Sequence, residues 1–89
     1  MNADGLDAII PIMNKNKNDH RVQLQGIYQI ISLLENNADI SEENIRYLGG
    51  PDLIVDLIIQ AMEMFPDSIE IRQHSWHALS IIYGMYYDD

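Results

Sequence analysis

The chain has 89 residues, 47% of them hydrophobic, and a formal net charge of −9 at pH 7. A chain of this length forms one domain, residues 1–89, that buries only about 60 to 65% of its unfolded surface, which argues against a large internal active-site cavity. Its negative charge repels phosphate groups, so nucleic acid and acidic membrane surfaces are poor partners.

Apolar residues recur at helical spacing near the N-terminus and predict a first helix over residues 4–14, with Asp4 capping its start. The polar segment 14–18 predicts a turn, after which Asp19 caps a second helix. This second helix carries two neighbouring apolar stripes, which indicates contact on two sides. The stripes are Val22, Gly26, Ile30 and Leu33, and Ile27, Ile31 and Leu34.

Residues 35–39 close the second helix, and Ser41 begins a short third helix that ends at Leu48, before Gly49 and Gly50. Pro51 suits the first turn of a fourth helix, which the apolar spacing carries to residue 65.

A Pro66-Asp67 break follows, and Asp67 or Ser68 caps a last helix that runs to Gly84. No segment alternates as a strand would, so we expect an all-α fold of about five helices. The buried stripe of the last helix is predicted to comprise Ile71, Ser75, Ala78, Leu79 and Ile82.

The two halves of the chain repeat each other. A shift of 49 residues places Met13 on Met62 and Ile9 on Ile58, with apolar residues falling on apolar residues. Stacked helical units usually present surfaces for other macromolecules rather than catalytic pockets.

The order of short helix, Gly-Gly, helix, Pro-Asp turn and long helix resembles the armadillo-repeat family. The segments that carry it are NIRYLGGPDLIVDLIIQAM and FPDSIEIRQHSWHALSII. The resemblance implies an armadillo-like right-handed helical stack, an α-solenoid, with residues 5–34 as a partial first repeat, 41–84 as a second repeat and 85–89 as a tail. Ile81 and Ser32 stand where peptide-binding members carry a ladder asparagine, so their groove chemistry is not implied.

In such a stack the second stripe of each last helix packs beneath the next repeat, so Ile27, Ile31 and Leu34 should lie beneath the second unit. Their counterparts at the 49-residue shift have no third repeat to cover them, and two tyrosines follow. Because aromatic residues are favoured anchors, these positions are candidates for a homodimer or partner interface. The candidates are Trp76, Ser80, Tyr83, Tyr86 and Tyr87.

An alternative places Trp76 in the core and folds the tail 84–87 back as a cap over the open end of the stack.

Catalytic and metal motifs are weak. His74 and His77 share one helix at a spacing that can hold a metal, but no further ligand is evident, so we expect them to face solvent. Residues 14–18 have the spacing of the opening of a calcium loop, yet Asp19 and Gln25 stand where that loop needs Gly and Glu. We expect no enzyme activity, no cofactor and no metal.

The location is expected to be intracellular, in the cytoplasm or nucleus. No apolar run approaches the roughly 20 residues that span a bilayer, and no basic flank precedes the first apolar residues, as a signal peptide requires. The chain has no cysteine, which fits a reducing compartment.

These observations favour a non-enzymatic protein-interaction or assembly module that uses its last helix, with self-association as the simplest form. The alternative is a small acidic inhibitor or mimic that occupies a basic site on a partner protein, through binding that weakens steeply with salt. A metal protein built on His74 and His77 ranks last.

Overall fold

A computed structural model describes residues 6–36 and 50–86. Within these two ranges the protein is all-α, as predicted, and contains no strand. The expected Asp4 cap and the expected short helix from Ser41 to Leu48 lie outside the described residues. The helices are α1 (Leu6–Lys15), α2 (His20–Asn36), α3 (Pro51–Met64) and α4 (Ile69–Tyr86).

Short polar side chains cap the N-termini of two helices, α2 and α4. Asp19 Oδ1 accepts hydrogen bonds from the backbone N–H groups of Arg21 and Val22, at 3.1 and 3.3 Å, which confirms the predicted cap of α2. Of the two residues considered for α4, Ser68 provides the cap, since its Oγ accepts a hydrogen bond from the Ile71 N–H at 3.2 Å.

Gly50 and Pro51 mark the start of α3, whereas Gly84 does not mark the end of α4. Gly50 has a φ of 91°, a left-handed conformation that favours glycine, directly before Pro51 in the first turn of α3. Gly84 was expected to end α4, but the helix continues to Tyr86. A single glycine lowers helix stability by only about 1 kcal/mol, which tertiary packing readily offsets.

The four helices bury apolar faces in one core. The predicted stripe of α4 is buried in full, and so are Ile27, Ile31 and Leu34 of α2. Val22 and Leu33, on the other stripe of α2, are only half-buried. The largest fully buried side chains are Met13, Ile27, Ile30, Ile54, Ile58, Ile71, Ile82 and Ser75.

The helices form two hairpins, α1–α2 and α3–α4, that lie side by side. Helix α1 contacts α3, and α2 makes its most extensive contact with α4. His20 Nε2 lies 2.8 Å from Ser68 Oγ at the start of both helices, and Glu35 contacts His77 towards their ends. The contacts advance in the same direction along α2 and α4, so these two helices are parallel.

Burial repeats between the hairpins at a shift of 48 residues, which corrects the predicted shift of 49. Buried Ile27 falls on buried Ser75, and buried Leu34 on buried Ile82. The shift of 49 would instead place buried Ile27 on Trp76, which is 58% exposed. One residue turns an α-helix by about 100°, so an error of one residue exchanges its buried and exposed faces.

Two contacts fix α1 on α2. The Met13 side chain lies so close to Gly26 that a Cβ at that position would come within 2.6 Å of Met13 Cγ. Gln23, which is 3% exposed, donates through Nε2 to the carbonyls of Met13 (2.9 Å) and Asn16 (2.8 Å). Met13 lies in the last turn of α1 and Asn16 directly follows the helix, and their carbonyls also accept hydrogen bonds from the Asn16 N–H (3.2 Å) and the Asp19 N–H (3.0 Å). Gln23 therefore adds side-chain hydrogen bonds to the turn that follows α1.

Candidate protein-interaction grooves

The face of α4 that turns away from α2 carries exposed aromatic residues. Trp76 and Tyr83 lie along this face and line a cavity of about 490 Å³ between α3 and α4. Leu79, which is 3% exposed, forms part of its floor. We call this cavity the C-terminal groove. Its lining residues are Ile59, Met62, Glu63, Phe65, Pro66, Arg72, Trp76, Leu79 and Tyr83.

The turn between α3 and α4 closes one end of the C-terminal groove. Arg72 Nη2 donates a hydrogen bond to the Pro66 carbonyl at 2.7 Å, across the turn. The Phe65 ring packs edge-on against His20, with ring centroids 5.2 Å apart. Through these contacts the turn joins both α4 and the first hairpin, so this end of the groove is held in place.

Of the five residues predicted from sequence, the structure brings Trp76 and Tyr83 together in the C-terminal groove. Ser80 is exposed outside it and donates through Oγ to the His77 carbonyl at 2.9 Å. Tyr86 packs half-buried against the core, and Tyr87 lies outside the described residues.

The alternative of a core tryptophan is wrong, because Trp76 is 58% exposed. Residues 84–86, expected in that alternative to fold back as a cap, instead continue α4 and leave Tyr83 45% exposed.

Sequence reasoning missed the contribution of α3 and of Arg72 to the groove. Ile59 is 37% exposed although it lies in a strongly apolar helix. A sequence signal was present, since Arg72, Trp76 and Tyr83 recur on one face of α4 at intervals of four and seven residues.

The two histidines of α4 lie on its opposite face and contact α2; His77 is exposed, as expected, whereas His74 is half-buried. His74 Nε2 lies 3.1 Å from the Tyr28 hydroxyl, and His77 Nε2 lies 2.9 Å from Glu35 Oε2. Glu35 and His77 both remain about half exposed. No group of three or more metal-ligating side chains occurs in the described part of the chain.

A second apolar cavity, of about 310 Å³, lies on the face of α2 that turns away from α4. It contains Ile12, which is 52% exposed. The apolar spacing of the sequence did not predict this cavity, which we call the N-terminal groove. Its lining residues are Ala8, Ile9, Ile12, Met13, Arg21, Val22, Gln25, Gly26 and Gln29.

None of the helices in residues 6–36 and 50–86 is long and apolar enough to cross a membrane. No family model, curated protein or solved structure matches the chain.

Proposed function

We propose that the protein is a non-enzymatic protein-interaction module whose C-terminal groove binds an apolar surface of another protein. The observation that carries the proposal is the pair of exposed aromatic side chains, Trp76 and Tyr83, in a groove with Ile59 and Met62. Tryptophan and tyrosine dominate binding hot spots because they bury a large area with little loss of conformational freedom.

We further propose an armadillo-like α-solenoid, with residues 5–34 and 41–84 as its two repeats. Two parallel hairpins with the same burial pattern support this arrangement. A stack of repeats leaves the outer face of its last unit uncovered, which is the face of α4 that carries Trp76. The five-helix count and the right-handed turn of the stack belong to this proposal, as does an intracellular location in the cytoplasm or nucleus.

A photoreactive phenylalanine analogue at Tyr83 tests the groove as a binding site. We expect ultraviolet cross-links from position 83, to a second copy or to another protein in the expressing cell, and we expect Trp76→Ala to remove them. The matched control places the analogue at Ile69, which is 66% exposed and lies outside both grooves.

Equal cross-linking from positions 83 and 69, or cross-links from position 83 that survive Trp76→Ala, would contradict the proposal. Absence of any cross-link from position 83, both in the cell and with concentrated purified protein, would contradict it as well.

A second candidate function is the acidic inhibitor or mimic. The hairpin α3–α4 favours it, because its exposed acidic residues outnumber its one basic residue, Arg72. This function requires binding that weakens steeply with salt, whereas binding through Trp76 persists at high salt. The acidic residues are Asp52, Asp56, Glu63, Asp67 and Glu70.

A further inference from the structure

We propose that the C-terminal groove receives the N-terminal groove of a second copy of this chain, so that copies join head to tail. This inference rests on the proposed function and names its partner. The described part of the chain exposes one apolar groove on the outer face of each hairpin. The contact between the hairpins inside the chain serves as the template for the contact between copies.

The first contact in the template is between Tyr28 and His74, whose ring centroids lie 4.5 Å apart. At the 48-residue shift, Trp76 is the counterpart of Tyr28, and Gly26 is the counterpart of His74. The same packing between copies therefore places Trp76 over Gly26 of the next copy. Gly26 and the Met13 side chain packed against it both line the N-terminal groove, so Trp76 meets an apolar surface at this point.

The second contact in the template is between Glu35 and His77, 2.9 Å apart. Their counterparts at the same shift are Tyr83 and Gln29, and Gln29 lines the N-terminal groove. The phenol of Tyr83 and the amide of Gln29 each donate and accept hydrogen bonds, so they form a polar pair where the template pairs a carboxylate with an imidazole.

Opposite charges at the α1–α2 and α3–α4 turns also favour the contact between the C-terminal groove of one copy and the N-terminal groove of the next. Lys15, Lys17 and Arg21 surround the α1–α2 turn, and Arg21 lines the N-terminal groove. The α3–α4 turn is flanked by acidic residues, and Glu63 lines the C-terminal groove. Stacking in the same orientation places the basic turn of one copy beside the acidic turn of the next, which favours this register.

A head-to-tail contact joins two different surfaces, so the assembly need not close into a symmetric dimer or a ring. An assembly of this kind keeps one free groove at each end, so association continues beyond a dimer as the protein concentration rises. A symmetric dimer through two C-terminal grooves would stop at two copies.

The test compares Trp76→Glu and Ile12→Glu, alone and mixed in equal amounts, by light scattering at physiological salt. We expect wild-type mass to grow with concentration and each variant alone to associate more than about thirtyfold more weakly. The equal mixture should form a dimer and stop there, because one variant keeps an intact N-terminal groove and the other an intact C-terminal groove.

Both substitutions lie at positions that accept a polar residue. Ile12 is matched at the 48-residue shift by the exposed Gln60, and Trp76 lies one turn after Arg72, which can pair with a new glutamate. Circular dichroism and the melting temperature check that both variants fold. Ile69→Glu, outside both grooves, is the matched control and should associate like the wild type.

Ile12→Glu that self-associates like the wild type while Trp76→Glu is monomeric would overturn the head-to-tail contact in favour of paired C-terminal grooves, leaving the proposed function intact. A wild type that stays monomeric at every concentration, or a mixture that stays monomeric, would overturn the head-to-tail contact. The cross-links from position 83 then decide separately whether the C-terminal groove binds another protein.

Discussion

The ring of Tyr28 lies 4.5 Å from the imidazole of His74, centroid to centroid, and the Tyr28 hydroxyl is 3.1 Å from His74 Nε2. Tyr28 belongs to α2 and His74 to α4, so this contact joins the two hairpins. It combines ring packing with a hydrogen bond, and His74 is half-buried.

We expect Tyr28→Ala and His74→Ala to be non-additive. The coupling between them should be about 0.5 to 1.5 kcal/mol, the range for a packed aromatic pair. Urea unfolding of the two single variants and the double variant measures it. Tyr28→Ala combined with Gln73→Ala, an exposed neighbour of His74, is the control pair and should be additive. Additivity in both cycles would show that the Tyr28–His74 contact does not stabilise the fold.

Gly26→Ala should destabilise the protein by about 1 to 3 kcal/mol, the usual effect of inserting a methyl group into a packed site. Alanine normally stabilises a helix relative to glycine by about 0.5 to 1 kcal/mol, but here the new Cβ meets Met13. Adding Met13→Ala should relieve the clash, so the double variant should lose less stability than the two single losses combined.

Gly84→Ala is the matched control for that substitution, because in the described residues no atom beyond its chain neighbours and its own helix backbone lies within 4 Å of the new Cβ. It should raise the urea midpoint, as alanine does at an open helical position. A Gly26→Ala variant that is equally stabilised would contradict the close packing of Met13 on α2.

Ser75→Ala should stabilise the protein by about 1 kcal/mol. Ser75 is 0% exposed, and its Oγ has no hydrogen-bond partner. An unsatisfied buried hydroxyl costs desolvation energy that alanine avoids, and alanine also favours the helix. Thermal unfolding compares it with Ser80→Ala, an exposed site whose change should stay within about 0.5 kcal/mol. A fall in the melting temperature of Ser75→Ala would mean that the hydroxyl is satisfied in solution.

Gln23→Met should destabilise the protein by about 1 to 3 kcal/mol. The methionine keeps the length of the side chain but removes the two hydrogen bonds to the carbonyls of Met13 and Asn16. Gln25→Met, at an exposed position of the same helix, is the control and should change little. Equal urea midpoints for the two variants would rule out Gln23 as the residue that secures the end of α1.

The sequence by itself determined the four helices of residues 6–36 and 50–86 and most of their boundaries, because the signals are local. Asp19 caps α2, Pro51 starts α3, and the apolar spacing of α4 identified every residue of its buried stripe. The sequence also singled out Trp76 and Tyr83, which are exposed in the structure.

Only the tertiary structure decided the register of the two hairpins. Shifts of 48 and 49 residues both place many apolar residues on apolar residues, because the helices are rich in Ile and Leu. Packing distinguishes them, since one residue rotates the face of a helix by about 100° and the core accepts one face. The C-terminal groove, the N-terminal groove and the pairing of His74 with Tyr28 depend on distances between helices, which local sequence patterns do not encode.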